Sequence, residues 1–181
     1  VSVPRPRLRR PSLSRELLNS VFFIIAALIF SELAIPRSSI DGPSMEPTLF
    51  KEQHLLISRL HYLLGDPQHN DIAVFDNPHD NNDDMLIKRV IGVPGDSIEF
   101  RDQLLYRNGA LVDEPYFVNS PCRTSGCPDR TWTLGEDEYF MMGDNRNQSN
   151  DSRAFGTIHR SDIVGRAIFR YWPLDKIGTL Q

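Results

Sequence analysis

The sequence predicts a mainly β body behind one N-terminal apolar helix, and three observations predict it. Past Pro36 the apolar residues come in short, often alternating runs cut by turn residues, the pattern of strands. Thirteen prolines and eleven glycines among 181 residues interrupt the chain too often for long helices. Ahead of the strand-like runs lies one unbroken apolar run, 21–30, extended by Leu17, Leu18, Leu33, Ala34 and Ile35.

The first element is a basic head. Residues 1–20 hold Arg5, Arg7, Arg9, Arg10 and Arg15 against Glu16 alone, while the whole chain has 20 Lys and Arg against 24 Asp and Glu. The remaining body is therefore strongly acidic and lacks the basic face that a nucleic-acid partner requires. Residues 17–35 follow; as a helix rising about 1.5 Å per residue they nearly cross a hydrocarbon core of about 30 Å. Asn19, Ser20, Ser31 and Glu32 fall toward the ends of that span, where headgroups or water solvate them. A cleaved signal peptide is the main rival reading, but Glu32 stands where an A-x-A site ending at Ala34 needs a small residue. A buried core helix is a third reading, opposed by the adjacent basic cluster. The positive-inside tendency then gives a cytoplasmic head, 1–16, an anchor, 17–35, and an exported β-rich domain, 36–181.

Within the exported part, residues 54–58, 71–75, 85–91 and 97–101 read as strands. Residues 104–107 and 110–112 flank Asn108-Gly109, whose tolerance of positive φ makes it the strongest hairpin signal in the chain. Residues 138–142 and 164–171 continue the series. The Asn/Asp-rich stretch 76–84 is a loop or a long hairpin tip. At about 146 residues the domain is large enough to bury a core of its own. Cys122 and Cys127 are the only cysteines, with four residues between them in a Pro/Gly-rich turn. On the exported side that favours a small disulfide loop over two free thiols, with a redox switch as the alternative. Two thiols exclude a four-thiolate metal site.

Three stretches carry candidate chemistry. In Gly42-Pro-Ser-Met-Glu-Pro-Thr-Leu49, Ser44 is held between Gly42-Pro43 and Pro47 on a backbone with few available conformations, as a presented nucleophile must be. Taken alone, the segment reads first as a turn ending a strand, because such turn residues are common between strands. In the apolar strand 85–91, Lys88 turned inward would lose solvation and proton affinity and so serve as a base for a serine hydroxyl. The plain alternative is that Lys88 or Arg89 faces solvent, since neighbours in a strand point to opposite faces. The third stretch, 139–156, runs from a strand into a polar loop whose Asp144, Asp151, Arg146 and Arg153 can pair with one another. A calcium loop from Asp144 lacks the sixth-position Gly and twelfth-position Glu of an EF-hand. The sequons at Asn147 and Asn150 are short enough to arise by chance.

In this order and behind a single anchor, the three stretches resemble the type I signal peptidases, membrane-bound serine proteases that remove signal peptides. Residues 42–49 look like the family's nucleophile segment, 87–96 like its lysine segment, and 143–153 like its acidic loop. The resemblance implies antiparallel sheets forming a coiled, barrel-like body with an apolar surface that dips into the membrane. It makes Ser44 the nucleophile and Lys88 the general base. It makes Ser149 the residue that orients the lysine amine, and Asp151 and Arg153 an ion pair supporting that serine. Some family members place a serine hydroxyl in the oxyanion hole two residues before the nucleophile. Here that position is Gly42, so the donors would be the Ser44 N–H and a backbone group. Ile40 matches the strand lining the small apolar substrate pockets, which accept Ala at the first and third positions before the cut. The histidines at 54, 61, 69, 79 and 159 fall outside every motif and read as surface or loop residues.

The function expected is cleavage of exported preproteins after A-x-A sites through an acyl-enzyme, without metal or cofactor. The partners expected are those preproteins and the lipid bilayer of a cell or thylakoid-type membrane. The rival class is a tethered β-domain that binds exported chains without cutting them; the presence of both Ser44 and Lys88 stands against it.

Overall fold

The computed structural model describes residues 13–34, 37–77, 85–116 and 129–180. The chain divides into two units, 1–34 and 35–181. In the first, α1 (Leu13–Ala34) is a helix of 22 residues with Glu16 in its first turn, where a carboxylate complements the helix dipole. Its described side chains, 14–26, are all exposed, Phe22, Phe23 and Ile24 among them. Among the described residues no helix is long and apolar enough to cross a membrane. The side chains of 27–35, the second half of the expected span, lie outside that description.

The second unit is mainly β, as expected, and its paired strands are all antiparallel. In chain order it comprises β1 (Arg37–Ser39), β2 (His54–Ser58), α2 (Arg59–Leu64), β3 (Ile72–Asp76), β4 (Met85–Gly92), β5 (Ser97–Arg101), β6 (Leu104–Arg107), β7 (Ala110–Leu111) and β8 (Arg130–Thr133). It continues with β9 (Glu138–Met142), α3 (Ser152–Phe155), β10 (Ile158–His159), β11 (Ile163–Trp172) and β12 (Gly178–Thr179). The larger sheet runs β1-β2-β11-β3-β4-β9-β10 with β12 on β11, and the smaller runs β7-β6-β5-β8.

The expected strands lie within a residue or so of their places. β3 and β11 are displaced or extended by one residue, and β7 ends at Leu111. Asn108 and Gly109 both have positive φ, 53° and 80°, as the hairpin reading requires. Strands β1, β8, β10 and β12 and the short helices were not foreseen. Each is four residues or fewer except α2, too short for a hydrophobic period to register. Ser58 caps α2 by accepting from the His61 N–H. Residues 78–84, including most of the acidic stretch between β3 and β4, and the Cys122–Cys127 pair lie outside the described residues.

Three buried clusters hold the unit together. Ile40, Met45, Leu49, Leu55, Ile57, Ile72, Val74 and Ala167 form the one beneath the segment 42–49. Phe75, Val90, Tyr139 and Met141 belong to a second. Ile91, Ile98, Phe100, Leu105, Leu134, Phe140 and Met142 join the two sheets in a third.

Candidate active site

Ser44 is presented by a turn pinned at both ends. Upstream, the Ile40 N–H donates to Gln53 O (3.1 Å) and Ile40 O accepts from Glu52 N (2.8 Å), continuing the β1–β2 pairing. Downstream, Glu46 N donates to Pro43 O and Leu49 N to Met45 O. Met45 and Leu49 are wholly buried in the cluster below, so apolar burial on either side of the turn fixes its height over the core. Ser44 is left half-buried, facing a cavity of about 190 Å³ walled by 38–42 on one side and 85–88 on the other, with Leu55 and Val74 also lining it.

Lys88 projects from β4 into the same cavity and is only 3% exposed. Its Nζ lies 2.7 Å from Ser44 Oγ and 3.0 Å from the Ile87 carbonyl oxygen. Burial pushes its pKa down to about 8, against the opposing pull of the Asp151 carboxylate. The solvent-facing alternative fails for both basic residues of this strand, because Arg89 is also buried, at 1%. Arg89 clamps Asp144 through two bonds of 2.8 Å, donates to Asn70 O, and lies 4.0 Å from the Tyr116 ring centre.

The polar loop after β9 is self-satisfied at its ends. Asp151 is fully buried; its carboxylate takes two 2.8 Å bonds from Arg153 and a third, 3.0 Å, from the Gly143 N–H. The expected Asp151–Arg153 pair is thus formed, but Asp144 and Arg146 find partners outside the loop. Asp144 pairs with Arg89 and accepts from Thr48 Oγ1 at 2.6 Å, tying β4 to the Ser44 turn. Arg146 pairs with Glu114. Asn145 reinforces the turn by donating its N–H to Ser44 O (3.0 Å) and its side-chain amide to Pro43 O (3.2 Å).

Ser149 reaches the site by a different route from the one expected. Its hydroxyl is buried, packed at Gly143 beside the Ser44 carbonyl, and among the described residues it has no hydrogen-bond partner, Lys88 included. Gly42 lines the cavity, and a Cβ added there would meet nothing within 4 Å. No described group accepts from the Ser44 N–H, which leaves that donor available to an oxyanion. Ile40 is buried at 4% and lines the cavity wall. Among the described residues no group of three or more His, Cys, Asp or Glu is placed to hold a metal ion. Of the histidines, His69 pairs with Asp96 and His61 meets Arg166, both away from the cavity, and His79 lies outside the described residues.

Sequence reasoning missed Thr48, Arg89, Glu114 and Tyr116. Arg89 carried a signal: an arginine in a strand whose neighbours on the same face are apolar needs a buried counter-ion. Glu114 and Tyr116 carried none: the Tyr116 hydroxyl donates to Glu114 two positions away, but the arginines they meet, Arg146 and Arg89, are distant in sequence.

The model of the family described as "Signal peptidase, peptidase S26" matches residues 14–172. The chain belongs to that family. "Probable signal peptidase I-2" of Synechocystis sp. is 40% identical over 87% of this chain and 72% of its own length. "Signal peptidase IB" of Staphylococcus aureus is 32% identical over 91% of this chain and 94% of its own. A crystal structure of a signal peptidase I from Enterococcus faecalis V583 is 35% identical, with a TM-score of 0.49, covering 56% of this chain and 97% of that one. This peptidase S26 member is a serine endopeptidase that removes signal peptides.

Proposed function

We propose that this signal peptidase cuts exported preproteins after A-x-A sites, with Ser44 as nucleophile and Lys88 as general base, while 17–35 anchors it with the catalytic unit on the exported side. The observation that carries the reading is the 2.7 Å approach of Ser44 Oγ and Lys88 Nζ at the wall of the cavity. That is hydrogen-bond reach for direct proton transfer. The neutral amine takes the Ser44 proton as Oγ attacks the scissile carbonyl carbon. Lys88 then hands that proton to the leaving amine as the C–N bond breaks, leaving an acyl ester on Ser44. Water next gives a proton to Lys88 and attacks the ester; Oγ departs and recovers its proton.

The Ser44 N–H is the oxyanion donor this reading needs, with the open backbone at Gly42 beside it. Ser149, whose buried hydroxyl has no partner, serves to orient the amine once substrate excludes water, and Asp151 with Arg153 supports its loop. The cavity wall at Ile40, backed by Leu55 and Val74, suits a small apolar side chain better than a charged one. The basic head ahead of 17–35 supports the orientation.

The test is cleavage of a reconstituted preprotein bearing an A-x-A site by the wild-type chain and by Lys88→Ala, with the new N-terminus read by mass spectrometry. Loss of a general base predicts a fall in kcat of at least about 100-fold. Undiminished cleavage by a folded Lys88→Ala chain refutes the role; retention of uncut preprotein by the wild type supports the binding-module reading instead.

A further inference from the structure

We propose that Glu114 is a positioning residue for the Ser44–Lys88 pair, acting through the Arg146 guanidinium on the peptide at Gly143. It rests on the reading of Ser44 and Lys88 as the reacting pair. Glu114 lies just past β7, on the stretch that leaves the smaller sheet. Val112 and Tyr116, on either side of it, pack against the cluster that joins the two sheets, and the Val112 N–H is bonded to Leu105 O, so Glu114 has a fixed mount.

From there its two carboxylate oxygens grip Arg146 Nη1 (3.0 Å) and Nη2. The Arg146 side chain is 3% exposed and that of Glu114 13%, a buried pair with planar two-point geometry. Arg146 Nε donates to Gly143 O (3.1 Å), while the Gly143 N–H donates to Asp151 (3.0 Å). The Arg146 carbonyl accepts from Arg153 Nη2 (2.8 Å), closing a ring of contacts around Gly143. Gly143 is where the loop meets the nucleophile turn, since a Cβ there would collide with the Ser44 carbonyl and with Ser149. Holding Gly143 therefore holds Ser44 at its distance from Lys88.

The charges around these groups give the role its own signature. Asp151 is the carboxylate that raises the proton affinity of Lys88, and it also faces Arg146, together with Glu114 and Tyr116; Arg153 is its direct partner, and Arg89 with Asp144 stands beside Tyr116. With Glu114 neutralised, Arg146 is left to draw on Asp151, whose hold on the Lys88 proton then weakens. The acid limb of the pH–rate profile should move to lower pH.

The experiment uses the full chain in proteoliposomes with an A-x-A preprotein, comparing Glu114→Gln and the double variant Glu114→Gln/Arg146→Met, with folding checked by near-UV circular dichroism. Glu114→Gln should lower kcat about tenfold, leave KM within about twofold, and shift the acid limb downward. The double variant removes the cation with its partner, which commonly preserves stability, yet leaves the Gly143 carbonyl unheld; its kcat should stay low. Wild-type kcat in either folded variant overturns the proposal, as does a loss confined to KM. A Glu114→Gln defect with no pH shift that the double variant fully repairs means a purely structural pair and also overturns it. If the single variant does not fold, the double variant decides. Cleavage persisting in Ser44→Ala would instead bring down the reading of the reacting pair, an outcome separate from these.

Discussion

Replacing Gly143 with Ala puts a methyl group where the acidic loop and the Ser44 turn already touch. The added Cβ would lie 2.6 Å from Ser149 Cβ and closer still to the Ser44 carbonyl, whereas real Cβ contacts keep at least 3.0 Å. The Ser149 hydroxyl can rotate aside, but the Ser44 carbonyl is backbone. Clearing it means opening the contact by about half an ångström or more. The same carbonyl accepts from Asn145, and the Gly143 peptide is bonded to Arg146 and Asp151, so the shift spreads into the turn instead of being absorbed locally. Ser44 Oγ, now 2.7 Å from Lys88 Nζ, would move to or past the edge of hydrogen-bond range. A displacement of about 1 Å costs about 100-fold in rate, so a loss between about 10- and 100-fold in kcat is expected. Stability should fall by about 1–3 kcal/mol through overpacking. The assay is single-turnover cleavage of an A-x-A peptide, alongside thermal melting. A folded Gly143→Ala chain cutting within about threefold of the wild-type rate would show that Gly143 does not set the Ser44–Lys88 distance.

Three further outcomes follow from the same chain. Because only neutral Lys88 accepts a proton and its pKa is pushed down to about 8 from an ordinary 10.5, kcat/KM should rise with pH and level off above about 8. An acid limb near 10 in the measured profile would contradict the buried geometry. The folded chain binds this proton more weakly than the unfolded chain, so charged Lys88 costs stability in full below pH 8 and less as pH climbs toward 10.5; Lys88→Met should therefore raise stability by about 3 kcal/mol at pH 6 and by much less at pH 10, as melting curves would register. Deleting 1–35 should raise the apparent KM for a membrane-bound preprotein more than it lowers turnover of a short soluble peptide, since an anchored enzyme and substrate share two dimensions. Equal losses on both substrates would refute the anchor's role.

What the sequence made legible follows from how far apart the cooperating residues are. A strand with clear alternation, such as β5, or a short apolar run, such as β2, could be read locally, as could the Asn108-Gly109 turn. So could the candidacy of Ser44, because proline and glycine restrict the chain on both sides of it. Lys88 was ambiguous, since burial on β4 depends on what covers each face and no local pattern reports that. The resemblance to a family, and not periodicity, pointed to its inward position. The Asp151–Arg153 pair is two residues apart and was legible. Asp144 with Arg89 and Arg146 with Glu114 are separated by 55 and 32 positions, and the polar loop alone offered nearer partners for each. Ser149 shows the reverse case, where the motif assigned a bond to Lys88 that this structure does not make, while the packing at Gly143 keeps the hydroxyl buried and unsatisfied beside the site.

The adjacent basic residues of β4 show why the candidate site depends on distant partners. Both are buried, and successive strand residues point to opposite faces, so the two meet different environments. A guanidinium cannot shed its charge in a protein, and Arg89 is accordingly surrounded by a bidentate carboxylate, a carbonyl and an aromatic face. An ammonium can, and among the described residues Lys88 has only a hydroxyl and a carbonyl as direct partners, with Asp151 acting at longer range. Desolvation without a contacting carboxylate is what brings its pKa down toward working pH. Exchanging the two residue types would therefore place a permanent cation at the cavity and a weakly paired amine against Asp144. The order Lys88-Arg89 thus gives one strand two different cations: the first has its pKa lowered by burial, and the second is paired with Asp144, which with Thr48 ties β4 to the Ser44 turn.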